Sequence, residues 1–332
     1  METREMPMPP DPGRGEVLVR LRAVGICGSD MHWYKEGGIG SFSASYPQVL
    51  GHEPAGEVAA VGKGVTGLQV GQKVAVEPAI CCGHCEFCMT GHHNNCVNSI
   101  FMGSSQMPGL FREYAVMPVH NAVAVPDSMS FDDVTVLEPL SVILHIMEMT
   151  PVRLGDTVAV MGAGPIGLLT AMVARLAGAS RIMLADRVAH RVKRAKDLGF
   201  DCIDTSAASM TDAVMDQTRA RGVDISFDAA AASDTYQACI DGTRLGGRVV
   251  LIGIPSEKAP HFDIHMAMHK ELNIQTVKRS NHNIHAAIEL MKAGLIGSSI
   301  VSHRYPLEQT PLAFETLAEY ADGVCKTVIE LP

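Results

Sequence analysis

Residues 158–167 read Val158-Ala159-Val160-Met161-Gly162-Ala163-Gly164-Pro165-Ile166-Gly167. An apolar run ends in three glycines spaced G-x-G-x-x-G, and an apolar helix-forming stretch follows. A lone G-x-G-x-x-G says little. Here it follows a strand pattern, opens a helix pattern and heads a series of alternating strands and helices, which is the context that gives the motif meaning. The glycines let the backbone approach a pyrophosphate, and the N-terminus of the next helix offers it a positive dipole. Asp186 ends the following strand pattern, 19 residues after Gly167. A carboxylate there accepts hydrogen bonds from the adenosine ribose and repels a 2′-phosphate, which favours NAD over NADP. Arg187 and Arg191 lie close by, so NADP use stays open.

Around this motif, strands are expected at 157–162, 181–186, 201–204, 223–228, 247–253 and 271–277, with helices at 165–178, 188–198, 208–220 and 233–244. Six strands with helical crossovers read as a doubly wound parallel sheet of the α/β class. Thr157 to Ala179 is a 23-residue run whose only charge is Arg175, long enough to span a bilayer. Its glycines and Pro165 break any single helix. A strand, a glycine turn and a buried helix are expected, not a membrane span.

The first half of the chain is patterned differently. Residues 16–26 alternate apolar and polar as a half-buried strand does, and they deliver Cys27, with Gly25 and Gly28 expected to allow a tight turn around its thiol. Residues 56–76 hold short apolar runs broken by glycines, the pattern of a small β-barrel. Ser130 with Asp132 and Asp133 marks a helix start, and Glu138-Pro139-Leu140-Ser141 then sits at the junction of the two halves. The expected organisation is a catalytic domain at 1–140, a dinucleotide domain at 141–279, and a segment at 280–332 that returns to the first. In that segment Ile284–Lys292 reads as a helix, followed by short strands.

Two sets of residues point to metal. Cys82, Cys85, Cys88 and Cys96 are spaced C-x2-C-x2-C-x7-C in a lobe at about 81–97. Four thiolates fill a tetrahedral zinc shell and leave no open position, so this site reads as structural. An iron–sulfur cluster is the rival, and His84, His92 and His93 are expected to be bystanders. The second set is scattered: Cys27, His52, Glu53 and Glu138. A thiol, an imidazole and carboxylates are ligands a catalytic zinc accepts while keeping one position open. Ser29, two residues after Cys27, is placed to pass a proton from a bound alcohol, with His32 as a second relay member. Trp33 and Tyr34 either wall a substrate pocket or pack in the core. Arg279 is expected to face the site or to be a surface charge.

Composition bounds the rest. The chain has 332 residues, 47% of them hydrophobic, and a formal net charge of −9. It shows no basic stripe, and its charge disfavours nucleic acid and anionic membranes as partners. Met1 to Gly15 is polar and holds four prolines, unlike a secretory signal; a cytoplasmic location is expected. Cys81, Cys202, Cys239 and Cys325 show no pairing pattern and read as buried structural thiols.

These residues together carry a resemblance. Gly25-Ile26-Cys27-Gly28-Ser29-Asp30, Gly51-His52-Glu53, the four-cysteine lobe, Glu138-Pro139-Leu140-Ser141 and Gly162–Gly167 match the zinc-dependent medium-chain dehydrogenases over nearly the whole chain. Within that family, Glu138-Pro139-Leu140-Ser141 resembles the polyol branch of sorbitol, xylitol and L-idonate dehydrogenases. The resemblance implies a GroES-like β-barrel catalytic domain, a Rossmann domain and a cleft between them. It implies two zinc ions per chain, the catalytic one on Cys27, His52 and Glu53, with Glu138 as a ligand or as the holder of the zinc's water. It also implies NAD contacts at Ile166, Asp186 and Arg191, a substrate or cofactor contact at Arg279, a small alcohol as substrate, and a homodimer or homotetramer.

Three departures stand out. Trp33 occupies the place where polyol enzymes usually put a substrate-contacting tyrosine. Ser280 replaces an aromatic. The N-terminus starts later than is usual, so the family's first strand is expected to be missing. The expected activity is hydride transfer from a secondary alcohol, a polyol or sugar acid, to NAD. A threonine or 2,3-butanediol dehydrogenase is the rival of the same fold, and a non-catalytic zinc-stabilised binding protein the rival of another class.

Overall fold

Strand β1, Glu16–Gly25, opens the computed structural model, which describes residues 1–332. Helix α1 (Gly28–Glu36) follows at once, with Cys27 as its N-cap. Strands β2 (Glu53–Val61), β3 (Lys73–Val76), β4 (Tyr114–Pro118) and β5 (Ala122–Ala124) complete the first pass. The alternation of β1 leads one to expect a strand half open to solvent, yet most of it is buried. The reason is pairing on both edges: β2 lies along one side, and β4 covers Glu16–Arg20 on the other. Val17, Val19 and Leu21 point into a core shared with Val58, Val74, Val76, Leu110 and Met117.

Helix α2 (Phe131–Met149) starts as its sequence says. Ser130 Oγ accepts the Asp133 N–H at 3.1 Å and Asp133 Oδ2 accepts the Ser130 N–H at 3.2 Å, a reciprocal cap. Pro139 inside α2 has no N–H for the Thr135 carbonyl.

Ile143–Val277 forms one compact unit; Met1–Val142 and Lys278–Pro332 form the other. The former runs β6 (Thr157–Met161), α3 (Pro165–Leu176), β7 (Arg181–Asp186), α4 (Ala189–Asp197), β8 (Asp201–Asp204), α5 (Met210–Gln217), β9 (Val223–Asp228), α6 (Ser233–Gly242), β10 (Thr243–Leu251) and β11 (Asn273–Thr276). All neighbouring strands pair parallel, in the order β8-β7-β6-β9-β10-β11. This is the doubly wound order, which reverses between β6 and β9; ligands bind at the carboxyl ends of the strands at such a point. The run Thr157–Ala179 divides into β6, the glycine turn and α3, and no helix of the protein is long and apolar enough to cross a membrane.

All four helices of this unit are shorter than expected, α3 ending at Leu176 and α4 covering Ala189–Asp197. The stretch 208–220 is helical only to Gln217, because Arg219 and Ala220 take left-handed φ values of 53° and 60°. The stretch 233–244 stops at Gly242, because β10 begins at Thr243.

The chain then returns through α7 (Ile284–Lys292), β12 (Val301–Pro306), α8 (Thr310–Ala318) and β13 (Lys326–Glu330). Helix α8 was not expected among the closing strands. It packs Ala313 and Phe314 on Ile26 and Trp33. Strand β13 pairs antiparallel with the end of β1, Val24 facing Ile329, so the sheet runs β12-β13-β1-β2-β3-β5 with β4 also on β1.

Candidate active site

The antiparallel pairing of β1 with β2 sets Gly25 opposite Glu53. Cys27 lies just beyond the end of β1, and His52 just before β2. The ligand atoms of Cys27, His52 and Glu53 consequently lie within 4.8 Å of one another. Gly28 is the first residue of α1, not part of a tight turn. Gly25 is needed for space, since a Cβ there would stand 2.3 Å from Glu53 Oε2.

Asp30 holds the trio in register. It is fully buried; Oδ2 accepts the Cys27 N–H at 2.9 Å and Oδ1 accepts the Gly51 N–H at 3.1 Å. Oδ1 also lies 3.5 Å from His52 Nδ1. That leaves His52 Nε2 facing the trio, 3.2 Å from Ser29 Oγ. A carboxylate on the far nitrogen of a ligating imidazole fixes its tautomer and orientation, and its loss costs about 10–100-fold in metal affinity. Asp30→Ala is expected to weaken zinc binding at this site by that factor, measured by competition with a chelator.

The electrostatics ask for a cation. Burial opposes a charge on His52, but the Asp30 carboxylate and the Cys27 sulfur raise its pKa well above the ordinary value. Thiol, imidazole and carboxylate in a buried anionic setting suit zinc.

Glu138 comes from α2 and is buried; burial lifts its pKa to about 7, with His52, Glu53, Lys326 and Arg279 all close enough to act on it. It falls outside the three-residue ligand group. Of the four residues drawn from the sequence, three form the compact group and Glu138 stands beside them.

Lys326 has no forewarning in the sequence. It is buried on β13, ion-pairs with Glu53 Oε2 and donates to the Ile26 carbonyl at 3.0 Å. Only the pairing of β13 with β1 brings it here.

A small cavity beside Glu138 is lined by Glu77, Cys81, His93, Phe101 and Arg279. The Arg279 guanidinium sits 4.1 Å above the Phe101 ring, which lies 5.2 Å from the His52 ring. Arg279 is thus part of the site wall rather than a surface charge. Trp33 and Tyr34 are on the packing side: Trp33 joins a core cluster with Leu50 and Phe314, and Tyr34 meets Phe314 edge-on at 5.2 Å. His32 is one turn beyond Ser29 on α1 and bonds Glu36 Oε1 at 2.9 Å.

Cys82, Cys85, Cys88 and Cys96 also form one compact ligand group. Sulfur–sulfur distances are 3.6 Å for Cys85 with Cys88 and 3.5 Å for Cys96 with Cys82. The backbone N–H of His84 lowers the Cys82 thiol to about 5 and the N–H of Cys88 lowers that of Cys85, whereas burial pushes the Cys88 thiol up to about 12. Cys202, Cys239 and Cys325 are buried as expected; Cys81 is only half-buried, with its thiol on the His93 carbonyl at 3.3 Å.

In the Ile143–Val277 unit, Gly162 has φ +97° and Gly164 caps α3, with Pro165 and Ile166 in its first turn. A Cβ on Gly167 would stand 1.8 Å from the Gly162 carbonyl oxygen, so only glycine lets the turn close. Asp186 accepts the Ala163 and Val188 N–H groups, each at 2.8 Å. Arg191 stands 3.9 Å from Asp186 and close to Gly164. The closed glycine turn, helix N-terminus and strand-end carboxylate fit a dinucleotide.

Two family models match the chain: the alcohol dehydrogenase GroES-like domain at residues 13–127 and the zinc-binding dehydrogenase at 165–293. Sorbitol dehydrogenase of Bacillus subtilis (strain 168) is 34% identical over 322 residues, 96% of this chain and 91% of its own. The chain belongs to the zinc-dependent medium-chain dehydrogenases, in their polyol branch. L-idonate 5-dehydrogenase of Vitis vinifera is 35% identical, over 95% of this chain and 88% of its own. Among solved structures, an alcohol dehydrogenase from Escherichia coli CFT073 in complex with NADH superposes with a TM-score of 0.88 at 29% identity, covering 98% of this chain and 94% of its own. The dehydrogenase thus shares both halves with its relatives.

Proposed function

We propose that this dehydrogenase oxidises a secondary alcohol of a polyol or sugar acid, with NAD as hydride acceptor and two zinc ions per chain. The observation that carries the reading is the Cys27, His52, Glu53 group, half-buried at the thiol and buried at the imidazole and carboxylate, with Asp30 on its imidazole and Glu138 at its side. Cys27, His52 and Glu53 would hold the catalytic zinc, Glu138 its water, and the four cysteines the structural ion. Zinc at the trio supplies the Lewis acidity that makes an alcohol hydroxyl easier to deprotonate, and NAD on the glycine turn supplies the hydride acceptor.

The chain's own residues do the rest. Ser29 Oγ, beside His52, accepts the hydroxyl proton. Ser29, His32 and Glu36 fall at i, i+3 and i+7 of α1, one face of the helix. His32 already bonds Glu36, and Glu36 is exposed, which gives the proton a way out. Arg279 contacts substrate or cofactor from the wall of the cavity.

NAD is favoured over NADP by Asp186. Asp186→Ser is expected to raise the KM for NAD about 10–100-fold, the worth of hydrogen bonds to a charged acceptor, and to shift preference towards NADP; initial rates with both cofactors check this. All nine cysteines are unpaired, in keeping with a reducing, cytoplasmic setting. We further propose a homodimer or homotetramer, to be read by sedimentation.

The test is a substrate panel with zinc-replete protein and NAD: sorbitol, xylitol, galactitol, L-idonate, L-threonine and 2,3-butanediol, followed by absorbance of the reduced nicotinamide. Turnover of a polyol or of L-idonate is expected. Turnover of threonine or butanediol alone would move the enzyme to another branch.

A further inference from the structure

The four-cysteine lobe is tied to the pocket wall by bonds its own metal does not require. Asn94, buried in the lobe, donates from Nδ2 to the Lys278 carbonyl at 3.1 Å, and its N–H reaches Asn281 Oδ1 at 3.4 Å. Asn281 Nδ2 returns a bond to the Gly91 carbonyl at 2.8 Å. One residue on, the His282 ring meets the His93 ring edge-on at 4.4 Å.

The segment these bonds grip is strained. Arg279 and His282 hold φ values of +58° and +62°, conformations that non-glycine residues keep only where the surroundings impose them. The strain has a visible result. It turns the Arg279 guanidinium over Phe101 and into the cavity beside Glu138, where Nη1 is buried with no hydrogen-bond partner.

We propose that the four-cysteine lobe is a clamp that sets Arg279 in the alcohol pocket, with Asn281 and Asn94 as positioning residues. Lobe and pocket are then coupled: loosening the lobe's hold on residues 278–283 weakens ligand binding at the catalytic site without touching a catalytic group. This rests on the reading of that pocket given above.

Kinetics and amide exchange test it on the full-length, zinc-loaded enzyme. Asn281→Ala removes the side-chain bonds to Asn94 and Gly91 and is expected to raise the KM for alcohol or for NAD about tenfold, with kcat within about threefold. Zinc content should stay at the wild-type value. In an Arg279→Met background the same change should add less than about twofold, because the residue acts through Arg279. An unchanged KM, or an equal rise in both backgrounds, would overturn the clamp. Should Asn281→Ala not fold, Asn94→Ala, which drops the bond to Lys278, is judged by the same criteria. If the wild type oxidises no alcohol, the functional reading falls, and the clamp is decided by amide exchange of residues 278–283 in Asn281→Ala. Faster exchange there, with residues 162–167 unchanged, supports it; unaltered exchange refutes it.

Discussion

Replacing His52 with alanine is expected to abolish alcohol oxidation while the fold stands. His52 is the one imidazole of the ligand group, oriented by Asp30 and facing Ser29. Lewis-acid stabilisation is worth several kcal/mol, so its loss should lower kcat/KM by roughly a thousandfold or more. The variant should bind one zinc fewer per chain than the wild type and bind NAD as before, since the glycine turn lies in the other compact unit. Metal analysis and cofactor titration on the same sample separate this result from misfolding, which would lose all three properties together.

The second large effect is expected at Lys326. Its ammonium is buried against Glu53 and the Ile26 carbonyl. Removing one partner of a buried ion pair strands the other charge and costs about 3–5 kcal/mol. Lys326→Met should therefore destabilise the metal-depleted enzyme by about that much, read from denaturant unfolding. Adding Glu53→Gln should recover a large part of the loss, since a neutral amide needs no counter-charge. If Lys326→Met were as stable as the wild type, the pair would not be what holds the Glu53 carboxylate beside Cys27.

Much of this was legible in the sequence. The glycine motif with Asp186 announced the parallel sheet because each glycine has a steric reason, seen most sharply at Gly167 against the Gly162 carbonyl. The four-cysteine lobe was legible because its ligands are close in sequence. Cys27, His52 and Glu53 were legible as chemistry, although only the β1–β2 register brings them together. What stayed hidden depends on long-range pairing. Lys326 is a single lysine in a strand, 273 positions from Glu53, and no local pattern marks it. The two-sided pairing of β1 buried a strand that its alternation left half-exposed. Trp33 and Tyr34 look equally suited to a pocket wall or a core until α8 supplies Phe314 to pack on. Helix α5 ended early because two non-glycine residues turned left-handed, which no propensity scale signals.

The most direct test of the central claim is stepwise removal of zinc by a chelator, with polyol oxidation and zinc content followed in the same samples. The account expects activity to vanish with the loss of the ion that His52→Ala also lacks, and to return when that one equivalent is restored. Full turnover in protein without that ion would contradict it, and would move the chemistry away from Cys27, His52 and Glu53.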